Sequence, residues 1–329
     1  MQMAMRQASV AASEAESAAG HSAPGWYQAA IAAPTQSRYL NVSGTRIHYR
    51  VWDDASAPDL AAAKRGLVFV HGSAAHSHWW DHIAPCFSED YSLAALDLSG
   101  MGESDSRKHY DIETYAAELA AVLEESRFCA AGRPKPIVVA HSFGAFVAAH
   151  AAHRHSDRFG GLIIVDSHLA VPEGLRRDVH FPFIVSPRHY ASAEEALARF
   201  RLIPPQPSPD PHIVQRIAQH SLKQTEAGWT WKFDGSQFAE GNVGTDIFYS
   251  TETLLREIRI PAAIIHGSES VLVSAAIARH TAACFGSAVP VIEIPGGHHH
   301  LMIDQPVALI AAIRALLAGW LAPKRHENE

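Results

Sequence analysis

Short apolar runs alternate with helical stretches from residue 67 to residue 321. Each run is four to six residues long and almost wholly apolar, which is typical of a strand buried on both faces of a sheet. Strands that alternate with helices of this length favour an α/β fold with a mostly parallel, doubly wound sheet. The predicted strands are residues 67–70, 92–96, 136–140, 161–165, 261–265 and 289–294, and the predicted helices lie near 111–127, 143–155, 274–284 and 305–321.

The segments outside this alternating region differ from it in composition. Residues 38–43 and 46–52 are rich in β-branched and aromatic side chains around a Ser-Gly-Thr turn, which predicts a β-hairpin. Residues 1–23 are poor in large apolar side chains and rich in Ala, Ser and Gln, so we predict a flexible tail there. A second, short tail is predicted at residues 324–329.

One long segment interrupts the alternation. About ninety residues between Asp166 and Arg259 contain no buried-strand pattern, and prolines divide them into short pieces. Helical patterns occur at residues 192–201 and 211–223. The sequence therefore predicts an inserted, mostly helical cap at residues 167–253, over a core made of residues 24–166 and 254–323. An insertion after a strand's carboxyl end lies over the edge where open α/β sheets bind ligands.

Charge and hydropathy exclude several classes of protein. Among the 329 residues, 27 Lys and Arg oppose 34 Asp and Glu, and a net charge of −7 argues against nucleic acid as the main partner. No apolar run reaches the ~20 residues of a membrane span. The N-terminal residues also lack the charged-then-apolar pattern of a secretory leader. We therefore expect no nucleic-acid partner, no membrane span and a cytoplasmic location.

The metal-ligating residue types show no recognised spacing. Cys86, Cys129 and Cys284 are too few for a disulfide framework, and we expect all three to be small core side chains in a reducing compartment. The 22 histidines include groups at 71–78 and 298–300, but no H-E-x-x-H pattern occurs. The prediction is therefore no metal site.

The segment 136–150, PIVVAHSFGAFVAAH, carries the main chemical signal. A buried strand runs directly into Ser142 and then into a helix, and small residues at 140, 144 and 145 permit a very tight turn. Such a turn lifts the Ser142 hydroxyl above the sheet and places the following N–H at a helix N-terminus. The competing interpretation is an ordinary serine N-cap.

Four motifs in this order resemble those of the α/β-hydrolase family. Residues 140–144, Ala-His-Ser-Phe-Gly, are similar to its G-x-S-x-G nucleophile elbow, with Ala in place of the first Gly. Residues 71–73, His-Gly-Ser, resemble its oxyanion loop. Residues 97–104 resemble its D-x-x-G-x-G-x-S loop, which we interpret as structural. Residues 294–300, IPGGHHH, followed by Asp304-Gln305-Pro306, resemble its histidine loop.

The resemblance implies a role for each matched position. Ser142 would be the nucleophile, and the backbone N–H groups of Ser73 and Phe143 would bind the oxyanion. His299 falls on the catalytic histidine position when counted from the Asp-Gln-Pro pattern. His298 and His300 are then neighbours that we expect to point away from the site.

The acid that would orient the histidine is ambiguous. The family pattern G-x-x-D places it after the strand that follows the cap, but here that position is Ser270. Ser cannot stabilise an imidazolium as a carboxylate does. Asp166 follows strand 161–165, where some family members place their acid, and it is our preferred candidate. Glu269, one residue from the usual position, is the alternative acid. A purely structural role is also open for Asp166, as a cap of the turn that follows it.

Aromatic residues suggest where a substrate would lie. Alternation in residues 228–233, GWTWKF, places Trp229 and Trp231 on one side of an extended segment. Together with Trp79 and Trp80 they are candidate pocket residues, although packing of the cap against the core explains the pattern equally simply.

The resemblance implies a serine hydrolase that cleaves a small-molecule carboxylic ester through an acyl-enzyme, without a cofactor. A C–C bond hydrolase, lactonase, amidase or thioesterase on the same residues is the alternative. A weakly catalytic ligand-binding homologue is the alternative from another class, because the same fold can serve binding alone. We expect a monomer or a homodimer.

Overall fold

A computed structural model describes most of the chain between residues 22 and 321. The described residues are 22–52, 64–126, 128–175, 188–208, 210–238, 242 and 246–321. The predicted C-terminal tail lies outside them, as does the predicted N-terminal tail apart from residues 22 and 23.

An eight-stranded sheet forms the centre of the molecule, as the alternating pattern predicts. The strands of the chain are β1 Gln36–Val42, β2 Thr45–Val51, β3 Arg65–Val70, β4 Tyr91–Leu96, β5 Ile137–His141, β6 Gly161–Val165, β7 Leu222–Thr225, β8 Gly228–Trp231, β9 Ala262–Gly267 and β10 Val291–Ile294. The order in the central sheet is β1-β2-β4-β3-β5-β6-β9-β10, and β7 and β8 form a separate small sheet. Every neighbouring pair from β4 onward is parallel, whereas β1 and β2 form the predicted antiparallel hairpin.

Helices cover both faces of the sheet. Strand side chains alternate between the faces, so Val68 and Val70 pack in one apolar layer while Leu67 and Phe69 pack in the other. The fold is therefore the predicted doubly wound α/β architecture. The helices are α1 Gly25–Ile31, α2 Ile112–Glu125, α3 Phe143–Arg154, α4 Ala193–Leu197, α5 Pro211–His220, α6 Asp246–Leu255, α7 Ala275–Cys284, α8 Leu301–Asp304 and α9 Pro306–Leu321.

The segment between β6 and β9 contains both helices and strands in its described part. Helices α4, α5 and α6 accompany the small antiparallel sheet β7–β8, which the sequence analysis recognised only as an extended stretch. An ion pair ties this segment to the core: Arg216 of α5 contacts the buried carboxylate of Asp81 at 2.6 Å. Because Arg50 of β2 contacts the same carboxylate, the buried charge of Asp81 is compensated from both sides.

Two further differences from the sequence prediction concern helices. The stretch 305–321 is preceded by a separate short helix, α8, and helix α1 was not predicted. Helix α1 is only seven residues long, and its buried face consists of Tyr27 and Ala30, which is too short a pattern to show helical periodicity. No helix in the described part of the chain is long and apolar enough to cross a membrane.

Candidate active site

Ser142 lies at a strained turn between β5 and α3. Its backbone has φ of 51° and ψ of −122°, a conformation that residues other than glycine rarely adopt. The Ser142 N–H donates to the carbonyl of Val165 at 3.0 Å, which secures the turn on the neighbouring strand β6. Gly144 permits the turn, because a Cβ there would lie 2.4 Å from the carbonyl oxygen of His71. The predicted tight strand-to-helix turn is present.

His299 lies on the loop that follows β10, with its ring against Ser142. The distance from His299 Nε2 to Ser142 Oγ is 3.1 Å, within hydrogen-bond reach. The side chain is almost fully buried, and burial lowers the pKa of His299 to about 3. The neutral ring is therefore favoured, and its Nε2 can accept a proton from the serine hydroxyl.

Asp166 lies directly after β6 and contacts the other nitrogen of the same ring. Its Oδ1 is 2.7 Å from His299 Nδ1, so the Nδ1–H of the neutral ring donates to the carboxylate. Burial raises the pKa of Asp166 to about 7, while hydrogen bonds from the Ser270 hydroxyl and the Gly267 N–H act in the opposite direction. These two donors lie 2.7 and 2.9 Å from the carboxylate oxygens. The serine, histidine and aspartate thus form one hydrogen-bonded chain.

Glu269, the alternative acid, lies apart from this chain. Its side chain is exposed and accepts a hydrogen bond from the Ser268 hydroxyl at 3.3 Å. Its backbone N–H donates to the carbonyl of Gly297, which anchors the residue with the carboxylate directed to solvent. Of the two carboxylates that the sequence left open, the geometry brings only Asp166 to His299.

Ser270 has a role that sequence reasoning missed. The residue was noted because it stands where an aspartate is expected, but its hydroxyl was not expected to reach Asp166. In the structure it donates to the same Oδ1 that contacts His299. The position where the family pattern places the acid is therefore a neutral hydrogen-bond donor to Asp166, the carboxylate that follows β6.

A pH profile tests the Ser270 contact. Burial raises the pKa of Asp166 to about 7, and a proton on the Asp166–His299 pair should block proton transfer from Ser142. We therefore expect kcat/KM to rise as the pH increases through the titration of this pair. Ser270→Ala removes a donor that favours the charged carboxylate. The rise of kcat/KM on the acidic side of the pH profile should then move about one unit to higher pH. Glu269→Gln is the matched control, and a rise that stays at the same pH in Ser270→Ala would contradict this account.

The predicted oxyanion donors belong to two segments that meet near Ser142, the start of α3 and the loop at 71–73. Phe143 is the first residue of α3, so its N–H has no acceptor within the helix. The loop at 71–73 passes close to Ser142, because a Cβ on Gly72 would lie 3.2 Å from the serine Cβ. The ring of His71 holds this loop: its Nδ1–H donates to the Gly72 carbonyl at 2.7 Å, and its Nε2 accepts from the Leu98 N–H at 3.1 Å.

The loop at 97–104 has the structural arrangement that the sequence predicts. Buried Asp97 accepts hydrogen bonds from the backbone N–H groups of Ser77 and Glu103 and contacts the His48 ring at 2.7 Å. Ser104 donates to the Asp97 carbonyl at 2.6 Å. Gly102 adopts φ of 59°, and a Cβ there would collide with the Asp97 carboxylate.

The neighbours of His299 differ in orientation. His298 points away, as expected, and its Nδ1 contacts Asp304 at 2.8 Å. The expectation for His300 is wrong, because its buried ring lies 4.7 Å from the His299 ring and 5.2 Å from that of Trp79. The backbone of His300 is held by Gln206 from the inserted segment, whose amide oxygen accepts from the His300 N–H at 2.8 Å. The amide nitrogen of the Gln206 side chain also lies 3.4 Å from the His300 carbonyl.

We expect Gln206→Ala to lower kcat about 10-fold with a smaller effect on KM, because a misplacement of ~1 Å at a reacting group can cost ~10²-fold. Gln206→Glu keeps the acceptor for the His300 N–H and should recover part of the loss. Steady-state kinetics of both variants, with circular dichroism to confirm folding, provides the measurement. Equal kcat in Gln206→Ala and the wild type would show that this contact does not position His299.

The four tryptophans occupy different environments. Trp80 is fully buried and its ring lies 5.0 Å from Phe69 in the core, so the expectation that it lines a pocket is wrong. Trp79 is the tryptophan near the site, beside His300. Trp229 and Trp231 lie on β8, and Trp231 packs 5.9 Å from Phe200 of the inserted segment. This contact lies within the inserted segment, so it does not test the predicted packing of that segment against the core.

A third buried imidazole completes the polar cluster beneath the site. The Nε2–H of His141 donates to the carbonyl of His299 at 3.0 Å, so the residue before Ser142 holds the loop that carries His299. One ring nitrogen each from His141, His299 and His300 lies within 4.8 Å of the others, a spacing that could hold a metal ion. Burial lowers the pKa of all three rings, which keeps them neutral.

Comparison with solved structures identifies the class of fold. The thioesterase domain from the curacin biosynthetic pathway matches with a TM-score of 0.68 at 20% identity, covering 85% of this chain and 99% of that domain. A Mycobacterium tuberculosis esterase matches with a TM-score of 0.65 at 22% identity, covering 93% of this chain and 96% of its own. Both are α/β enzymes that share the architecture described above.

The model of the alpha/beta hydrolase family matches residues 67–313, and the chain belongs to that family. Lipase LipV of Mycobacterium tuberculosis is 27% identical over 264 residues, which cover 76% of this chain and 92% of the lipase. The esterase of the same organism whose solved structure is compared above is 26% identical when aligned by sequence over 264 residues, covering 76% and 82% of the two chains. The protein is thus a hydrolase with esterase-like and lipase-like relatives.

Proposed function

We propose that the protein hydrolyses a small-molecule carboxylic ester through an acyl-enzyme on Ser142. The observation that carries this proposal is the hydrogen-bonded chain from Ser142 through His299 to Asp166, placed at the strained turn after β5. A nucleophile, a base within reach of it and a third group that orients the base are the arrangement that covalent acyl transfer requires. The esterase and lipase relatives support the choice of an ester.

Acylation begins when Ser142 Oγ attacks the ester carbonyl carbon and His299 Nε2 takes the hydroxyl proton. Asp166 stabilises the imidazolium that forms, because its carboxylate accepts from Nδ1–H. The N–H groups of Ser73 and Phe143 hold the negative charge on the former carbonyl oxygen. The tetrahedral intermediate then collapses, the ester C–O bond breaks, and His299 donates its proton to the departing alkoxide.

Deacylation repeats the sequence with water as the nucleophile. The neutral His299 removes a proton from a water molecule, which attacks the acyl carbon. Collapse of the second intermediate breaks the bond to Ser142 Oγ, and the proton returns to the serine. The products are a carboxylic acid, an alcohol and the original enzyme, and no step requires a cofactor.

The segment 167–253 is proposed to act as a cap over the carboxyl edge of the sheet, with the core formed by residues 24–166 and 254–323. Gln206 supports this role, because it joins the segment to the backbone beside His299. The ion pair between Arg216 and Asp81 supplies a second attachment. Trp79 and Trp229 are the aromatic side chains that we propose for contact with substrate.

Labelling with a serine-directed phosphonate tests the proposal. The wild type should lose activity in proportion to labelling, and mass spectrometry should locate the adduct on Ser142. A panel of p-nitrophenyl esters of rising acyl length should then be hydrolysed with one clear optimum. Absence of both labelling and turnover would favour a ligand-binding protein. Turnover of matched thioesters or anilides that exceeds turnover of the esters would replace the ester proposal with the thioesterase or amidase alternative.

A further inference from the structure

A group of metal-ligating side chains lies away from the candidate active site, between helices α6 and α7. Glu252 projects from α6, and His280 and Cys284 lie one turn apart on α7. Their ligand atoms all lie within 4.8 Å of one another. We propose that these three residues bind a zinc ion that links the end of the inserted segment to the core.

The separations between these atoms fit a tetrahedral zinc ion. His280 Nε2 is 3.7 Å from Glu252 Oε1 and 3.8 Å from Cys284 Sγ. With Zn–N and Zn–O bonds of about 2.0–2.2 Å and a Zn–S bond of about 2.3 Å, tetrahedral ligand atoms lie about 3.5 Å apart. The two separations from His280 exceed this value by only a few tenths of an ångström, and the third, between Glu252 and Cys284, is within 4.8 Å.

The charges and exposure of the group also suit zinc. A cysteine thiolate and a glutamate carboxylate together balance the two positive charges of the ion. Binding forms a Zn–S bond and releases the thiol proton to water. The side chains of His280 and Glu252 are 33% and 24% exposed, so the ion can enter from solvent and keep a water molecule as its fourth ligand.

Two other groups within the described residues are weaker candidates. His78, Asp81 and His220 also converge, but Arg50 and Arg216 already neutralise the Asp81 carboxylate, which disfavours a cation. The three histidines of the candidate active site provide no anionic ligand, and metal binding there would occupy the proposed base. Of the three groups found among the described residues, only the one between α6 and α7 combines a thiol, an imidazole and a carboxylate.

Part of the proposed zinc site can be recognised in the sequence. His280 and Cys284 have the i, i+4 spacing that places two ligands on one helix face. Glu252 lies 28 residues before His280, on a separate helix, so its approach depends on how α6 packs against α7. No metal site was predicted from the sequence, because neither the cysteines nor the histidine loops, taken separately, show a recognised ligand spacing.

Cobalt substitution provides the test in the full-length protein, freed of metal by dialysis against a chelator. We expect one equivalent of Co²⁺ to produce a thiolate-to-cobalt charge-transfer band that Zn²⁺ displaces. Cys284→Ser should abolish the band and weaken Zn²⁺ binding by more than ~100-fold, since even outer-shell substitutions cost ~10–100-fold. Glu252→Gln, at a partly exposed position, should weaken binding without affecting folding.

Matched variants distinguish this site from adventitious binding. Cys86→Ser and Cys129→Ser change the other two cysteines, and Glu257→Gln changes an exposed carboxylate just beyond α6; all three should retain the band and the affinity. Zn²⁺ should also raise the Tm of the wild type but not of Cys284→Ser. A missing band in the wild type, or unchanged Zn²⁺ affinity in Cys284→Ser and Glu252→Gln, would overturn the proposal. Binding that persists in Cys284→Ser and inhibits hydrolysis would assign the ion to the active-site histidines instead.

Discussion

Ser142→Ala is expected to lower kcat by at least ~10³-fold for every ester that the wild type hydrolyses, because it removes the hydroxyl oxygen that we propose as the nucleophile. The fold should remain intact. Alanine has the same backbone requirements as serine at φ of 51°, and the backbone contacts of residue 142 with Val165 and Ala145 do not involve the hydroxyl. Steady-state kinetics on one activated ester and a thermal unfolding curve provide the measurements.

Ser167→Ala serves as the control for this variant. The Ser167 hydroxyl donates to the Ser142 carbonyl at 2.9 Å, so this change perturbs the same turn without removing the nucleophile. We expect it to retain most of the activity. If Ser142→Ala keeps more than a few per cent of wild-type kcat, Ser142 is not the nucleophile.

Asp166→Asn is expected to lower kcat by up to ~10⁴-fold, by analogy with other triads, while the backbone conformation is preserved. Asp166 adopts φ of 45°, and asparagine is among the residues that tolerate this region best. The loss therefore reports on charge and hydrogen bonding rather than on backbone strain.

The hydrogen bonds around residue 166 determine the orientation of the side-chain amide in Asp166→Asn. The Gly267 N–H is a fixed donor toward Oδ2, so the amide oxygen must stay there and the NH2 group must replace Oδ1. An NH2 group facing His299 forces Nδ1 to act as acceptor and moves the ring proton to Nε2. In that tautomer Nε2 cannot take the proton of the Ser142 hydroxyl, which is why we expect a large loss.

Glu269→Gln is the matched isosteric change and should cost less than about 10-fold, since the exposed carboxylate contacts only a neighbouring serine in the described structure. Both variants should be assayed on the same ester, with circular dichroism to confirm folding. If Glu269→Gln loses most of its activity while Asp166→Asn stays close to the wild type, the acid is Glu269, in the loop after β9. If neither change matters, the site operates as a Ser–His dyad or serves binding alone.

Much of the fold was predictable because its signals are local. Each buried strand is a continuous apolar run, and the predicted strand 161–165 coincides with β6. The hairpin β7–β8 was missed because Lys223 and Gln224 of β7 are exposed and the strand has only four residues. Its pairing depends on contacts with partners such as Tyr190, which a short polar stretch does not reveal.

The candidate site was predictable only in part. The strand-to-helix turn at Ser142 and the histidine loop around His299 are contiguous patterns, and the structure brings these two side chains together. Their catalytic roles remain predictions. The choice between Asp166 and Glu269 depends on which carboxylate the loops after β6 and β9 direct toward His299, and adjacency in the sheet does not decide it, because β9 rather than β6 pairs with β10. Gln206 lies in a proline-rich loop that gives no local indication of its contact with His300.

The sequence by itself determined the parallel sheet, the sharp turn at Ser142 and the loop that presents His299, because backbone conformation and strand burial depend on neighbouring residues. Tertiary structure alone decided which carboxylate reaches His299, that the Ser270 hydroxyl supports that carboxylate, and that Glu252 meets His280 and Cys284. These contacts join residues 28 to 133 positions apart. A hydrogen bond or a metal site requires its atoms to approach within a few ångströms, and between distant residues only the packing of strands and helices sets that distance.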